Sequence, residues 1–257
     1  LQLSLLKEVS LTGVAHSQRN ESAPLRARAP GPCASARLET EQARFRDAPQ
    51  PISLRRMASL AALSSSESQL VRALRPTSLP QGAVLSGAES AYIVLAGWCG
   101  RKVGRGPDGR IALLLLPGDA IGLQAPRWAV DDMPAVALTP VILAQAGELR
   151  RQLAQKELAA PGLALACRRA VMRGQAFCFN ALYRLGQQTA AERIAHLLLE
   201  IRMRLGEVQE AAGDTFRIPI SQNAMAQALG LSLVHLNRTL RVMRRDRLIE
   251  LEQGKAR

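Results

Sequence analysis

The sequence predicts an α+β chain: an N-terminal β-barrel or jelly roll, a long helix, and a C-terminal unit of two closely spaced helices followed by a strand. Three observations predict it. From Ala58 to Leu143, short apolar runs alternate with turn signals, as in a small barrel. From Leu163 to Leu185, apolar and small residues recur at three- and four-residue steps, as in a helix that packs along its length. From Ile218 to Leu251, the string IPISQNAMAQALGLSLVHLNRTLRVMRRDRLIEL holds two helix starts with a glycine stop between them.

Composition narrows the class. At 257 residues the chain can form one large or two modest domains, and its 47% apolar share is ordinary for a globular protein. The net charge of +13 is unevenly spread. Residues 1–56 hold nine Lys and Arg against five Asp and Glu, residues 57–149 seven of each, and residues 150–257 eighteen against nine. The basic part is therefore the part with the paired helices, an electrostatic footprint for a polyanion. A membrane surface would want an exposed apolar face beside the charge. Cys33, Cys99, Cys167 and Cys178 form no C-x-x-C pair and have no histidine at zinc spacing. They read as free thiols in a reducing compartment, with no metal site. No run reaches the roughly 18 apolar residues of a membrane span. Lys7 and Glu8 interrupt the first apolar residues, so no secretory signal is read. A cytoplasmic protein is expected.

Residues 1–56 are rich in Pro, Ala, Arg and Ser and keep no helical or strand period. They are expected to be a disordered tail, or an extension translated upstream of Met57, the first methionine. A tail that touches DNA phosphates is the rival reading. The barrel is expected over 57–146. A short helix is read at Glu67–Leu74, and strands at Ala83–Leu85, Ala91–Leu95, Ile111–Leu116, Val136–Leu138 and Pro140–Leu143. Pro107-Asp108-Gly109 and Pro117-Gly118-Asp119 supply turns. A linker and packing helix follow over 147–186, with a charged helix from Glu148 to Leu158 and a break at Pro161-Gly162. The last unit covers 187–257. Thr189 and Glu192 form a capping box that opens a helix running to Leu205. Phe216–Ile218 is a short strand before Pro219.

In the paired helices, Ser221 caps the first and Ser232 the second. Met225, Ala226 and Leu229 make an inner face, and the small Ala226 allows a close crossing. Gly230 ends the first helix in the left-handed conformation. Leu236, Leu240 and Met243 line the inside of the second helix. His235, Arg238, Thr239, Arg241 and Arg245 line its outside. About three residues separate the helices, as in a helix-turn-helix, whose second helix enters the DNA major groove. An ordinary helical hairpin with a solvated basic face has the same pattern.

GLSLVHLNRTLRVMRRDRLIEL resembles the winged helix-turn-helix of the Crp/Fnr family of bacterial transcription regulators. The resemblance includes TAAERIAHLLLEIRMRLG, similar to the family's first DNA-binding-domain helix. It extends to the barrel through Tyr92–Gly97, the Asp108-Gly109-Arg110 turn and Pro117–Gly122. It covers roughly residues 60–255. The resemblance implies a cyclic-nucleotide-binding-like sensor barrel, a dimerisation helix and a Crp-type DNA-binding domain. On it, Leu163, Cys167, Ala170, Gly174, Phe177 and Ala181 are the expected dimer contacts of a homodimer. Recognition helix 233–244 is expected to read an inverted repeat, with RNA polymerase as a further partner. Arg238 is the expected base reader, because its fork matches guanine O6 and N7. His235, Thr239 and Arg241 are candidates for a phosphate or a second base, and Val234 for a thymine methyl. Ser232 presents a helix N-terminus to a phosphate. Arg245 and Lys255 are phosphate candidates, as is Arg244.

Two departures from the family pattern matter. After Gly122 the sequence LQAPRWAVDDMPAVAL has one basic residue, Arg127, and no Gly-Glu pair. Neither cyclic AMP nor an iron–sulfur cluster is expected, no cofactor is predicted, and the effector is unidentified. The wing's returning strand is expected to be short or absent. Gly104-Arg105-Gly106-Pro107-Asp108-Gly109 matches G-x-G-x-x-G, but it opens a strand where a dinucleotide site opens a helix. With only His16, His196 and His235 and no hydrolase or Walker motif, an enzyme is not expected. His196 is read as a partly buried structural residue. The alternatives are a ligand-sensing or scaffolding dimer without specific DNA binding, and a nucleotide-cofactor enzyme.

Overall fold

The computed structural model describes residues 54, 56, 59–85, 90–104, 109–123, 134–154, 160–208, 211–212, 215–252 and 255–256, without the side chains of 152–154, 211–212, 252 and 255. Most of the expected tail, Cys33, Pro107, Asp108, Arg127 and residues 253–254 lie outside the described residues.

Helix α1 (Ser65–Arg72) opens on a capping box, with Ser64 and Glu67 each accepting from the other's backbone N–H. Eight strands follow: β1 (Pro76–Leu79), β2 (Val84–Leu85), β3 (Tyr92–Ala96), β4 (Cys99–Val103), β5 (Arg110–Leu115), β6 (Ala120–Ile121), β7 (Ala135–Ala137) and β8 (Val141–Gln145). They form two four-stranded sheets, in the orders β1-β8-β3-β6 and β2-β7-β4-β5. Every pairing in them is antiparallel. The β4–β5 pair flanks the expected Pro-Asp-Gly turn, and Gly109 leads into a strand. Gly97 sits at φ 76°, and a Cβ there would lie 2.2 Å from the Pro140 carbonyl oxygen, so the β3–β4 corner requires glycine.

Helices α2 (Gly147–Ala154) and α3 (Pro161–Gln187) lead out of the barrel. Pro161 starts α3 at its first turn, where no N–H partner is lost. Thr189 and Glu192 then cap α4 (Ala190–Gly206) as expected. The C-terminal sheet has the order β11-β12-β10-β9, built from β9 (Ala211–Ala212), β10 (Thr215–Arg217), β11 (Leu251–Glu252) and β12 (Lys255–Ala256). The returning wing strand is therefore present but two residues long, and it pairs with both β11 and β10. Helices α5 (Gln222–Ala228) and α6 (Leu233–Arg245) complete the unit.

Two expectations need correction. The boundary between tail and barrel falls too late: Leu54 and Arg56 are helical and buried. Leu54 joins the core around Ile93, Ile142 and Leu163, while Arg56 donates to the Pro117 carbonyl and pairs with Glu207 at 2.6 Å. The residues of the expected dimer stripe are also packed largely within the chain itself. Leu163, Cys167, Phe177 and Ala181 are buried within the chain's own barrel-side cores, and Ala170 and Gly174 are half-buried. Leu165, Met172, Phe179, Leu182 and Tyr183 are the exposed large apolar residues along this helix, with Leu185 at its end.

The core does not stop at a domain boundary. Trp98, Ile111, Leu114 and Leu116 of the barrel share one buried cluster with Ile194, Ile201, Met225, Leu236 and Leu240 of the C-terminal unit. Polar contacts run beside it. The Ile111 N–H donates to the Gln227 side chain at 3.0 Å. Arg204, 1% exposed, donates to the Leu114 carbonyl at 3.1 Å, pairs with Asp119 and Glu200, and lies 4.2 Å above the Phe177 ring.

Candidate nucleic-acid interface

Ser221 Oγ accepts from the Ala224 N–H at 3.2 Å and so starts α5. The helix ends at Gly230, whose φ of 63° is the left-handed value expected there. The Leu231 N–H donates back to the Ala226 carbonyl and the Gly230 N–H to Gln227, which closes the helix in a Schellman-type turn. Ser232 Oγ accepts from the His235 N–H at 3.2 Å and starts α6 at once. Arg247, at φ 57°, ends α6, with the Leu248 N–H donating to the Met243 carbonyl.

The faces of α6 follow the apolar period. Leu236, Leu240 and Met243 are at most 3% exposed and join the shared core. Each such burial contributes about 1.5–3 kcal/mol, which fixes the helix's rotation and turns the other face outward. There Val234 is 79% exposed, with His235, Arg238 and Arg241 beside it. Asn237, on the flank, is half-buried, in keeping with a structural part. The helix carries four arginines and no acidic residue. Among the described residues Arg238 and Arg241 have no ion-pair partner, so both guanidinium forks are free to meet a ligand.

Other predicted residues are more constrained. Thr239 is half-buried, and its hydroxyl donates to the His235 carbonyl at 2.9 Å, leaving it only as an acceptor. Arg245 is held bidentately by Asp246, at 2.8 and 3.4 Å. That hydrogen bond raises the Arg245 pKa and lowers that of Asp246. Ser232 uses a lone pair as a cap and keeps its O–H to donate, beside the unbonded N–H groups of the first helical turn. Lys255 lies on β12 of the C-terminal sheet, in register with Arg217 on β10 and Glu252 on β11.

Sequence reasoning missed Arg193, Gln227 and Arg204, which tie this unit to α3 and the barrel. Nothing in a local pattern marks them, because an arginine on an amphipathic helix reads as solvated. His196 is half-buried as read, 3.3 Å from the Gln188 side chain and edge-on to Tyr183. Burial pushes the Cys99 thiol up to about 12 and that of Cys167 to about 11, so neither is a nucleophile. Among the described residues no cluster has the makings of a metal site, and no helix is long and apolar enough to cross a membrane.

Comparison with known proteins agrees with this geometry. A family model for the Crp-like helix-turn-helix domain matches residues 192–257. The nitrogen fixation regulation protein FixK of Rhizobium meliloti (strain 1021) is 31% identical over 150 residues, 58% of this chain and 64% of FixK. The match thus spans somewhat less than two thirds of that relative. The structure of FixK2 from Bradyrhizobium japonicum superposes with a TM-score of 0.59 at 23% identity, covering 71% of this chain and 91% of FixK2. A CRP/FNR-family transcriptional regulator from Thermus thermophilus superposes with a TM-score of 0.51 at 21% identity, covering 71% and 92%. These two likenesses establish the fold, with its barrel, long helix and C-terminal unit in the same order. The chain thus carries a Crp-like helix-turn-helix domain at 192–257, on a fold similar to that of FixK2 and the Thermus CRP/FNR-family regulator.

Proposed function

We propose that the chain is a cytoplasmic, sequence-specific DNA-binding regulator that grips an inverted repeat as a homodimer. The observation that carries this reading is the outer face of α6. Its inner residues are locked into the core, Arg238 and Arg241 on its outer face have no ion-pair partner among the described residues, and no carboxylate lies within the helix. Arg238 is the proposed base reader. Arg241, Arg244, Ser232 and the first-turn N–H groups are proposed phosphate contacts, and Val234 and His235 flank them. Phosphate contacts would set register and the base contact would set sequence. Lys255, and Arg245 when released by Asp246, extend the basic surface.

The domain reading is part of the proposal: a sensor barrel over 57–146 with Leu54 and Arg56 built into it, a dimer helix over 147–186, and a DNA-binding unit over 187–257. The second copy is proposed to cover Leu165, Met172, Phe179 and Leu182. These residues fall at three- and seven-residue steps on one side of α3, the period of a coiled-coil seam. RNA polymerase is the further partner at a promoter. No enzymatic role is proposed, since the Gly-rich stretch leads into β5, not into a helix.

Selection of binding sites from randomised DNA with the full chain tests the reading. One inverted-repeat motif, with half-site centres about one helical turn apart, is expected. In Arg238→Ala the motif should vanish while weak binding to any sequence persists. No enriched motif for the unaltered chain, with or without cell extract to supply an effector, would favour a scaffolding dimer instead.

A further inference from the structure

Between the proposed dimer helix and the helix-turn-helix sits one side chain that holds both. Arg193, on the first turn of α4, donates through Nε to the Gln188 carbonyl at 2.9 Å and through Nη2 to the Leu185 carbonyl at 2.9 Å. Its Nη1 reaches the Leu229 carbonyl at 3.4 Å. Leu185 and Gln188 belong to the C-terminal end of α3, and Leu229 is the C-cap of α5. Helix C-termini present unpaired carbonyls and partial negative charge, so a guanidinium is the group best suited to join two of them. The two ends also touch directly. A Cβ at Gly230 would lie 2.6 Å from Leu185 Cδ2 and 3.8 Å from Arg193 Nη1, so the turn between α5 and α6 rests against the end of α3.

We infer that Arg193 is a positioning residue for DNA recognition. It fixes the angle between the dimer helix and the helix-turn-helix, and thereby the half-site spacing the dimer accepts. The inference rests on the reading of the chain as a dimer on an inverted repeat. In such a dimer α3 carries the two-fold axis and α6 carries the base contacts. The joint that Arg193 spans links them at this end of α3. Each base pair inserted between half-sites rotates one relative to the other by about one tenth of a turn. A stiff joint penalises the wrong spacing, whereas a loose one tolerates it. Arg193 spends its guanidinium on backbone carbonyls outside α6, the helix that carries the proposed base reader, so preference within a half-site should not depend on it.

The test measures affinity of the full chain for the selected inverted repeat and for versions with one base pair added or removed between half-sites. The unaltered chain should discriminate between spacings. Arg193→Gln should reduce that discrimination by roughly two- to thirtyfold, the range of a coupling lost at an internal joint. Base preference within each half-site should not change. Arg193→Lys, with a charge but no fork, should fall between the two. Leu185→Ala, which removes the contact against Gly230 at a 41% exposed residue, should loosen spacing in the same direction. It serves where Arg193→Gln does not fold. Spacing discrimination kept by these folded variants would overturn the inference and leave the function intact. Loss of base preference in step with spacing would assign Arg193 a merely structural part, and overturn it too. If the unaltered chain selects no inverted repeat at all, the dimer reading falls and the inference with it.

Discussion

At the scale of single residues, α6 separates groups that read from groups that hold. Arg238 and Arg241 lie on the same exposed face without partners, yet they should respond differently to mutation. Arg238→Ala should cost about 1–3 kcal/mol on the selected site and relax preference at one base pair. Arg241→Ala should weaken all sequences alike and reduce the slope of log affinity against log salt by about 1. Affinity measured over a salt series distinguishes the two, and a sequence-dependent effect of Arg241→Ala would reverse the assignment. Asp246 makes a further prediction. Its carboxylate occupies the Arg245 fork and stays ionised, because that hydrogen bond holds its pKa below the ordinary aspartate value. Asp246→Asn should free Arg245 for a phosphate, tighten binding to any DNA, and steepen the salt slope by about 1. An unchanged slope would place Arg245 off the DNA surface.

At the scale of elements, capping was legible and facing was not. Ser64, Thr189, Ser221 and Ser232 all accept the N–H bonds of helix starts. Three of the four were read as caps from the sequence, because a cap is a local event written in a few residues. Helix α3 defeated the same logic. It is apolar on two sides, with Leu163, Cys167 and Phe177 inside and Leu165, Met172 and Phe179 outside, and periodicity cannot say which stripe the barrel takes. Strands β1, β4 and β6 went unread for a related reason: Pro-Thr-Ser-Leu, Cys-Gly-Arg-Lys-Val and Ala-Ile show no clean alternation. Neighbouring phenylalanines now make opposite predictions. Phe177 is 5% exposed beneath Arg204, so Phe177→Ala should lower stability by about 3–5 kcal/mol without changing assembly. Phe179 is 70% exposed, so Phe179→Ala should leave folding almost unchanged and weaken the dimer, as sedimentation would record. A second element-level prediction concerns acid. Glu67 accepts from the Ser64 N–H at 2.7 Å and the Leu163 N–H at 3.0 Å, tying α1 to the start of α3. The Ser64 backbone hydrogen bond, followed by that from Leu163, lowers its pKa. Its stabilisation is therefore present above the ordinary glutamate value near 4.5 and lost as pH falls through the lower folded value. The melting-temperature gap between the unaltered chain and Glu67→Gln should be full near neutrality and close as pH drops below that range. A gap that stays constant down to strong acid would mean that Glu67 acts through shape and not charge.

At the scale of the whole molecule, the sequence suggested two domains with a helix between them, and the order of parts is as read. Their fusion was not legible, because it depends on residues distant in sequence. Trp98 and Ile111 meet the helix-turn-helix core, and Arg204 on α4 reaches Asp119 in the β5–β6 turn. The ionic part is deeply buried: Arg184, Glu200 and Arg204 have side chains 3%, 2% and 1% exposed, and Arg184 lies 2.6 Å from Glu200. Three charges withdrawn from water cost more than their attraction readily returns unless all remain paired. Removing one partner should therefore be far more harmful than an ordinary surface change. Arg204→Ala is expected to destabilise the full chain by about 3–5 kcal/mol, leaving Glu200 to Arg184 alone and Asp119 without its partner. The shared core adds a sharper expectation. If barrel and C-terminal unit unfold as one body, calorimetry of the full chain should show a single transition whose calorimetric and van't Hoff enthalpies agree. Residues 187–257 expressed alone should then melt below the intact chain, because the α5 face against β5 and Gln227 would be bared to water. Two resolved transitions, with the isolated unit melting where the later one does, would mean that the buried cluster is two cores in contact, and that Arg204 and Asp119 join domains that are stable without each other.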